Sequence, residues 1–424
     1  MKKMDYQNVR GTQDFLPEQE VVRRKIRGTL EDTFILYGCK PLETPMLNYT
    51  ELMASKYAGG SEILQEMYTL TDRGERDLAL RYDLTIPFAK VVAMNPNLAM
   101  PFKRYEIGKV FRDGPIKAGR FREFTQCDVD IVGVASQAAE AELMMMAVDA
   151  FEKLQVSVQI QYNNRKLLLG LLQLFEVSET AMNRVILILD KKEKIDRITL
   201  VKELAELALT PATLNNIESF LDANPSLSYF ENYSFQNDFI AQGVTEIREL
   251  MDYLQALQIE SSCLFNPFLA RGLEIYTGTI YEIFLTNGAI KSSIGSGGRY
   301  DNAIGGLIGT DASFATVGIS FGLDVIYTAF ELVNKIEQKP REFDVYIIPM
   351  NTLKQALYLA KALRKTGQRV EVELSGKKLS KAMDKANREN VGKVIVLGEN
   401  EVAANKIAIK DMESGRVEEV EFKF

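Results

Sequence analysis

Four stretches of the 424-residue chain combine side chains able to do chemistry. The first is FRDGPIKAGRFREFTQCDVD, residues 111–130: a strand, a Gly/Pro turn and a return strand. It reads as a β-hairpin with Arg112, Lys117, Arg120 and Arg122 around its turn. Arg104 and Arg112 lie on faces of the outgoing strand, while alternation puts Phe124, Gln126, Asp128 and Asp130 on one face of the return strand. Guanidinium forks grip phosphate oxygens and an aromatic ring stacks on a base, so this set suits a nucleoside triphosphate. It equally suits a cationic surface hairpin with Asp128 and Asp130 as ion-pair partners, and the hairpin alone does not decide between the two.

The second stretch is FLARGLEIYTGTIYEIF, residues 268–284. Gly272 allows a ligand close to the backbone. Arg271 follows apolar Leu269 and Ala270, so its charge calls for an anion: a ligand's, or a structural carboxylate. The third, IGSGGRYDNAIGGLIG at 294–309, lacks the GxxxxGK[ST] pattern and is no P-loop; its glycines serve a ligand or a turn. The fourth is LALRYDLTIPFAK, residues 78–90. Asp83 and Thr85, two apart, face the same side of an extended segment and could hold an ammonium group, although capping a helix is the commoner use of such a pair.

What the chain lacks narrows the chemistry further. It contains no histidine, so imidazole-assisted triads, imidazole general bases and imidazole metal ligands are excluded. Its three cysteines, Cys39, Cys127 and Cys263, form neither a CxxC pair nor a disulfide framework. At 46% hydrophobic and 26% charged, the composition is that of an ordinary soluble globular protein. The start, MKKMDYQNVRGTQDF, has no apolar h-region, and no apolar run reaches the roughly 18 residues of a membrane span. A cytoplasmic protein without a membrane partner is expected. The net charge of −7 hides an asymmetry: 33 basic and 44 acidic side chains precede Lys335, and 18 and 14 follow from it onward. A weakly basic tail thus sits on an acidic body, with polar EQKPRE at 337–342 reading as the linker.

The elements that position these residues can be read from periodicity. A helix of about 20 residues opens near Pro17 and ends at Gly38, with Val22, Ile26, Leu30, Phe34 and Tyr37 as its apolar stripe. A strand through Pro45 follows. Segments 68–72, 78–82, 103–112 and 121–133 read as successive strands, which points to an antiparallel sheet. From Asn164 the text turns helical, then strand-like again at 262–286 and 291–300, with a helix at roughly 321–335. The tail alternates strand 343–349, helix 352–367, strand 368–374, helix 375–390 and strand 392–398: a small α/β domain with a mixed sheet. Its second helix carries Lys378, Lys381, Lys385 and Arg388 on one face, either as a solvated face or as a phosphate-contacting stripe.

Taken in order, RGTQDFLP (10–17), LRYDLT (80–85), the 111–130 hairpin, LARGLEIYTGTIYE (269–282) and GSGGRYD (295–301) resemble the class II histidyl-tRNA synthetases. The tail resembles their anticodon-binding domain, so the resemblance covers essentially the whole chain. The YDLT form resembles the eukaryote- and archaea-like branch rather than the branch with PEGT at that place. The implied fold is α+β: a class II aminoacyl-tRNA synthetase catalytic domain over 1–334, with a six-stranded antiparallel sheet and a helical insertion at about 164–235. A C-terminal α/β anticodon-binding domain over 335–424 completes it. The resemblance also implies a homodimer formed through the long first helix and the strand through Pro45.

The implied reaction activates histidine with ATP to histidyl-adenylate and transfers the histidyl group to tRNA(His). Asp83 and Thr85 would hold the ammonium region, and Gln126 and Asp130 would read the histidine. Tyr276 and Tyr300 would line the imidazole pocket. Arg112 would bridge the carboxylate and the α-phosphate, Arg120 would contact the distal phosphates and Phe124 would stack on adenine. Arg271 would stabilise charge developing at the α-phosphate. Lys378, Lys381, Lys385 and Arg388 would meet tRNA. ATP would come with its own Mg²⁺; no dedicated metal cage and no prosthetic group are expected.

Three departures from the family's pattern stand out. Its Arg-x-Glu is here Arg112-Asp113-Gly114, its paired tyrosines are Ile275-Tyr276, and its closing Gly-(Leu/Ile/Val)-Glu-Arg is Gly322-Leu323-Asp324-Val325. The γ-phosphate then needs another cation, with Arg120, Arg299 and Lys117 as candidates. Two rival readings belong to other classes: a paralogue that senses histidine as a regulatory subunit of histidine biosynthesis, and a tRNA-binding module with an inactive catalytic body. The full tail with its lysine stripe counts against the first. A protein that handles histidine yet contains none is also suited to being translated when charged tRNA(His) is scarce.

Overall fold

The computed structural model describes residues 6–55, 64–116, 119–192, 195–223, 225–270, 275–310, 312–333 and 343–424. The expected linker, 337–342, lies outside the described residues. The chain divides into two compact units: Met1–Asp14 with Arg23–Val333, and Phe15–Val22 with Asn334–Phe424.

The first unit is built on an eight-stranded sheet. Its strands are β1 (Lys40–Pro41), β5 (Phe102–Phe111), β6 (Glu123–Val132), β7 (Val158–Asn164), β8 (Cys263–Phe265), β9 (Thr279–Leu285), β10 (Gly295–Arg299) and β11 (Thr316–Gly322). The spatial order is β1-β5-β6-β11-β10-β9-β7-β8. The six strands from β5 to β7 in that order are antiparallel, as the resemblance implies. Short β1 and β8 add one parallel pair at each edge. A separate small sheet sets β4 (Asp77–Leu80) between β2 (Leu47–Tyr49) and β3 (Thr69–Thr71).

The hairpin β5–β6 pairs over ten residues, Phe102↔Val132 to Phe111↔Glu123, and its two-residue period divides the sheet into two faces. One face is apolar and carries helices. Ile26, Leu30 and Phe34 of the helix Pro17–Leu36 are buried, and Phe34 and Phe151 both pack on Phe321 of β11, with centroids 5.7 and 5.9 Å away. Phe151 belongs to the helix Ala138–Lys153. The other face of β5, β6 and β11 is polar and nonetheless buried: Arg104, Glu106, Gln126, Asp128 and Asp130. Burying such groups is costly unless they pair or wait for a ligand.

Several expectations change. The strand expected through Pro45 is split: Lys40–Pro41 pairs with β5, Leu47–Tyr49 joins the small sheet, and Thr44 between them donates its backbone N–H to Glu106 at 2.9 Å. The strand-like text at 262–286 is two strands, β8 and β9, and residues 271–274 between them lie outside the described residues. The helix expected from 321 begins at Leu323, because 316–322 is the central strand β11. The helical run, expected at about 164–235, extends from Arg165 to Ala256 and ends in the long helix Asp238–Ala256.

The second unit carries a five-stranded sheet of β12 (Val345–Pro349), β13 (Val370–Val372), β14 (Lys393–Leu397), β15 (Lys406–Asp411) and β16 (Val417–Glu421), in the order β13-β12-β14-β15-β16. The first three are parallel and the last two antiparallel, which makes the sheet mixed. The helices Leu353–Lys365 and Leu379–Arg388 bury Ala356, Leu359 and Ala360, and Ala382 and Ala386, against it.

Candidate functional site

A cavity opens on the polar face of the main sheet. Asp83, Thr85, Asp130, Tyr276 and Tyr300 line it together, joined by Asp128, Ser296, Gly298, Gly318 and Ser320. Gln126 does not line it, but its Nε2 donates to the Ser320 hydroxyl at 2.8 Å, while its Oε1 is buried with no hydrogen-bond partner among the described residues.

Asp130 stands at the centre. Tyr300 donates its hydroxyl proton to Asp130 Oδ1 at 2.5 Å. Arg104 Nη2 lies 2.6 Å from Asp130 Oδ2, as an ion pair rather than an aligned hydrogen bond. Burial pushes this carboxyl up, and the Arg104 charge and the Tyr300 hydroxyl pull it back. Arg104 is fully buried, sits 4.4 Å over the Phe88 ring and donates to the Leu84 carbonyl at 3.1 Å. A charge so fixed orients Asp130 as an acceptor pointing into the cavity.

Asp83 does two things at once. It lines the cavity, and its Oδ1 accepts the Ile86 N–H at 3.2 Å, capping the helix Thr85–Met94. Burial raises its carboxyl, while the Ile86 N–H and Arg112 pull it back. The capping use of Asp83 is thus present, and the pair also sits on the cavity wall.

The glycine-rich strand has a packing reason. A Cβ on Gly297 would lie 2.1 Å from the Gly318 carbonyl, and one on Gly298 2.9 Å from Tyr276 Cδ1. Gly298 also holds φ +159, at the edge of the glycine-favouring region. Without a side chain at positions 297 and 298 the strand admits the close approach of the Gly318 backbone and of Tyr276.

Beside the cavity, Arg112 donates its Nε to the Tyr82 carbonyl at 2.9 Å and lies 5.3 Å over the Phe124 ring. Arg120 is exposed in the hairpin turn. Lys117 and Arg271 lie outside the described residues. Arg299 is no candidate for the γ-phosphate: it holds Glu140 through two nitrogens, at 2.6 and 2.7 Å, and also donates to the Val134 and Ser136 carbonyls. At the closing motif, Asp324 is buried, paired with Arg23 at 2.5 Å and accepting the Thr125 N–H at 2.8 Å. A Cβ on Gly119 would lie 3.3 Å from Val325 Cα, so the hairpin turn rests where the family places arginine. Where the hairpin lacks the family's glutamate, the carboxylate of Glu66 lies close by. A Cβ on Gly114 would lie 2.6–3.0 Å from three carboxylate atoms of Glu66, which reaches the place a side chain there would take.

Sequence reasoning missed Asp128 and Ser320. The alternation puts Asp128 on the Gln126–Asp130 face but offers it a role only as an ion-pair partner in one of two open readings; Ser320 sits on β11, which the sequence pattern does not announce as a strand. In the tail, Lys378, Lys381 and Arg388 are exposed. Lys385 leaves the stripe: its ammonium pairs with Glu371, lies 3.8 Å from Glu389 and 5.0 Å over the Tyr346 ring. Among the described residues, no group of three or more His, Cys, Asp or Glu is placed to hold a metal ion, and no helix is long and apolar enough to cross a membrane.

Comparison with known proteins finds relatives over the whole chain. The family model for histidyl-tRNA synthetase matches residues 11–326, and that for the anticodon binding domain matches 344–424. Histidine–tRNA ligase 2 of Shouchella clausii is 58% identical over 426 residues, covering 100% of both chains. Histidine–tRNA ligase 1 of Bacillus anthracis is 55% identical over 414 residues, 97% of each. The crystal structure of histidyl-tRNA synthetase from Nostoc sp. PCC 7120 superposes with a TM-score of 0.85 at 29% identity, covering 99% of this chain and 97% of that one. These relatives are bacterial, so the eukaryote- and archaea-like branch expected from YDLT finds no support among them.

Proposed function

Because the chain belongs to the histidyl-tRNA synthetase family, we propose that the cavity around Asp130 holds histidine and that the hairpin beside it holds ATP. The chain is a histidine–tRNA ligase: ATP and histidine give histidyl-adenylate and pyrophosphate, and the tRNA then takes the histidyl group.

The observation that carries the division of roles is the pinned Asp130 carboxylate, held by Tyr300 and Arg104 on the cavity wall. An oriented acceptor can take an imidazole N–H, and an apolar isostere would leave that buried carboxylate unmet. Asp83 and Thr85 receive the ammonium group, Gln126 contacts the amino acid beside Asp130, and Tyr276 and Tyr300 flank the ring. Arg112, its guanidinium plane set by the Tyr82 carbonyl, bridges the substrate carboxylate and the α-phosphate. Phe124 offers its ring to adenine, Arg120 meets the distal phosphates, and ATP brings its own Mg²⁺. Arg271, assigned from its motif alone, stabilises charge at the α-phosphate.

Attack of a carboxylate on phosphorus is limited by charge build-up and alignment, not by proton removal. Each well-placed donor is worth roughly 10²–10³ in rate by analogy with oxyanion holes. A chain without histidine loses nothing by this mechanism. Lys378, Lys381 and Arg388 are the tail cations offered to tRNA. Two chains would pair through the region where Ile35, Leu36, Met46, Leu47 and Tyr49 are exposed; the working compartment is the cytoplasm. The histidine-sensing regulatory reading is disfavoured by full-length identity to ligases and by the anticodon-binding domain.

Histidine-dependent ATP–pyrophosphate exchange, followed by tRNA(His) charging, tests the assignment. Arg271→Ala should collapse exchange while histidine binding persists. Absence of exchange by the unaltered protein at saturating histidine would overturn the reading.

A further inference from the structure

Asp128 is 3% exposed, lines the cavity, and its Oδ1 has no hydrogen-bond partner among the described residues. A buried carboxylate oxygen with no donor is expensive unless something else meets it. Asp130, two residues along the same face, is already engaged by Tyr300 and Arg104. Glu106, opposite Asp128 on β5, is engaged by Arg81 and Thr44. Asp130 Oδ2 also lacks a hydrogen-bond donor but keeps its Arg104 ion pair, whereas Asp128 Oδ1 has neither a donor nor a cation within pairing distance among the described residues.

We propose that Asp128 contacts the substrate directly, its Oδ1 accepting a hydrogen bond from a nitrogen of bound histidine, as a second carboxylate beside Asp130. This rests on the reading of the cavity as the histidine site. The charged and titratable groups facing Asp128 are Arg104 and Glu106 from β5, Asp130 from its own strand, Asp83 from the segment before Thr85 and Tyr300 after β10; Ser320 of β11 adds a hydroxyl. Burial pushes the Asp128 carboxyl up to about 8, Arg104 and Ser320 pull it back, and Asp130 and Asp83 raise it further. Without a bound cation this carboxyl keeps its proton near neutrality, and a cationic N–H of the substrate takes that proton's place.

The test compares Asp128→Asn with the unaltered chain in ATP–pyrophosphate exchange, with thermal melting of both ligand-free proteins. Asn keeps the shape and removes the charge. The histidine KM should rise about 10- to 100-fold, as for loss of a charged hydrogen bond, with the ATP KM within about threefold. The empty variant should melt at the same temperature or higher, since a buried acid has been neutralised. A merely structural residue would instead lower the melting temperature and move both KM values together, and that result overturns the proposal. So does an unchanged histidine KM. Should the variant not fold, histidine titration of the unaltered protein by calorimetry in buffers of different ionisation enthalpy decides. Proton movement on binding near pH 8 supports the proposal, and its absence overturns it. If the unaltered protein shows no histidine-dependent exchange, it is the reading of the site that fails.

Discussion

Gly318 faces Asp130 across the β6–β11 pair, and a Cβ on Gly318 would lie 1.9 Å from Asp130 Oδ1. The strand can pass this carboxylate only because it has no side chain there. The Tyr300 hydroxyl bonds the same oxygen, so the glycine, the phenol and the acid form one packed unit.

Gly318→Ala should therefore push Asp130 off its two partners and crowd the wall of the cavity that Gly318 lines. Overpacking of this kind costs about 1–3 kcal/mol. We expect the histidine KM in pyrophosphate exchange to rise by roughly 5- to 150-fold, with the ATP KM nearly unchanged. Equal losses in both would place the damage in the sheet rather than in the site.

The hairpin and its face were legible because a two-residue period sustained over ten residues leaves one choice of side for Gln126, Asp128 and Asp130. The glycines of β10 and the aromatics near Tyr276 were legible as unusual text, but not their purpose, which is the approach of Tyr276 and of the Gly318 backbone. β11 was missed because TVGISFG is short, holds two glycines and runs directly into a helix, so neither period dominates. Lys385 could not be read as a structural cation because its partner Glu371 belongs to the neighbourhood of another strand. The same long-range pairing hid Arg299, whose partner Glu140 lies 159 positions away. Periodicity reports which face a residue is on; it does not report what meets it there.

That difference separates two arginines. Arg299 is buried on Glu140, and Arg120 is exposed in the hairpin turn. Arg120→Ala should raise the ATP KM about tenfold, a discounted value for a charged contact at an exposed site, and leave the melting temperature in place. Arg299→Ala should instead cost about 3–5 kcal/mol of stability by stranding buried Glu140. Denaturant titration with ATP kinetics on both variants distinguishes the two roles, and a loss of ATP affinity in a folded Arg299 variant would refute this assignment.

Asp128 also sets a pH dependence of stability. Its carboxyl is raised to about 8 in the fold against about 3.9 in an unfolded chain. Between those values the folded state keeps a proton that the unfolded state has lost. Its contribution is thus fully present below about pH 4 and is lost as pH rises through 8, with a slope of at most about 1.4 kcal/mol per pH unit. The chain has no histidine to titrate in the same window. Ligand-free Asp128→Asn should therefore show a flatter stability profile from pH 5 to 8 than the unaltered protein in urea titrations; parallel profiles would contradict the burial assigned to this acid.

The absence of histidine bears on synthesis as well as on titration. The ligase that charges tRNA(His) is needed most when that charged tRNA is scarce, and none of its 424 codons calls for it. Elongation through its message cannot pause at a histidine codon, whereas a protein rich in histidine must wait. With transcription held constant from one promoter, its rate of synthesis under histidine starvation should fall less than that of a histidine-containing reporter. Adding six histidine codons to the same gene should remove the advantage, with starvation for another amino acid as the control. An equal fall in the histidine-free and histidine-tagged chains would show that the composition has no consequence for translation.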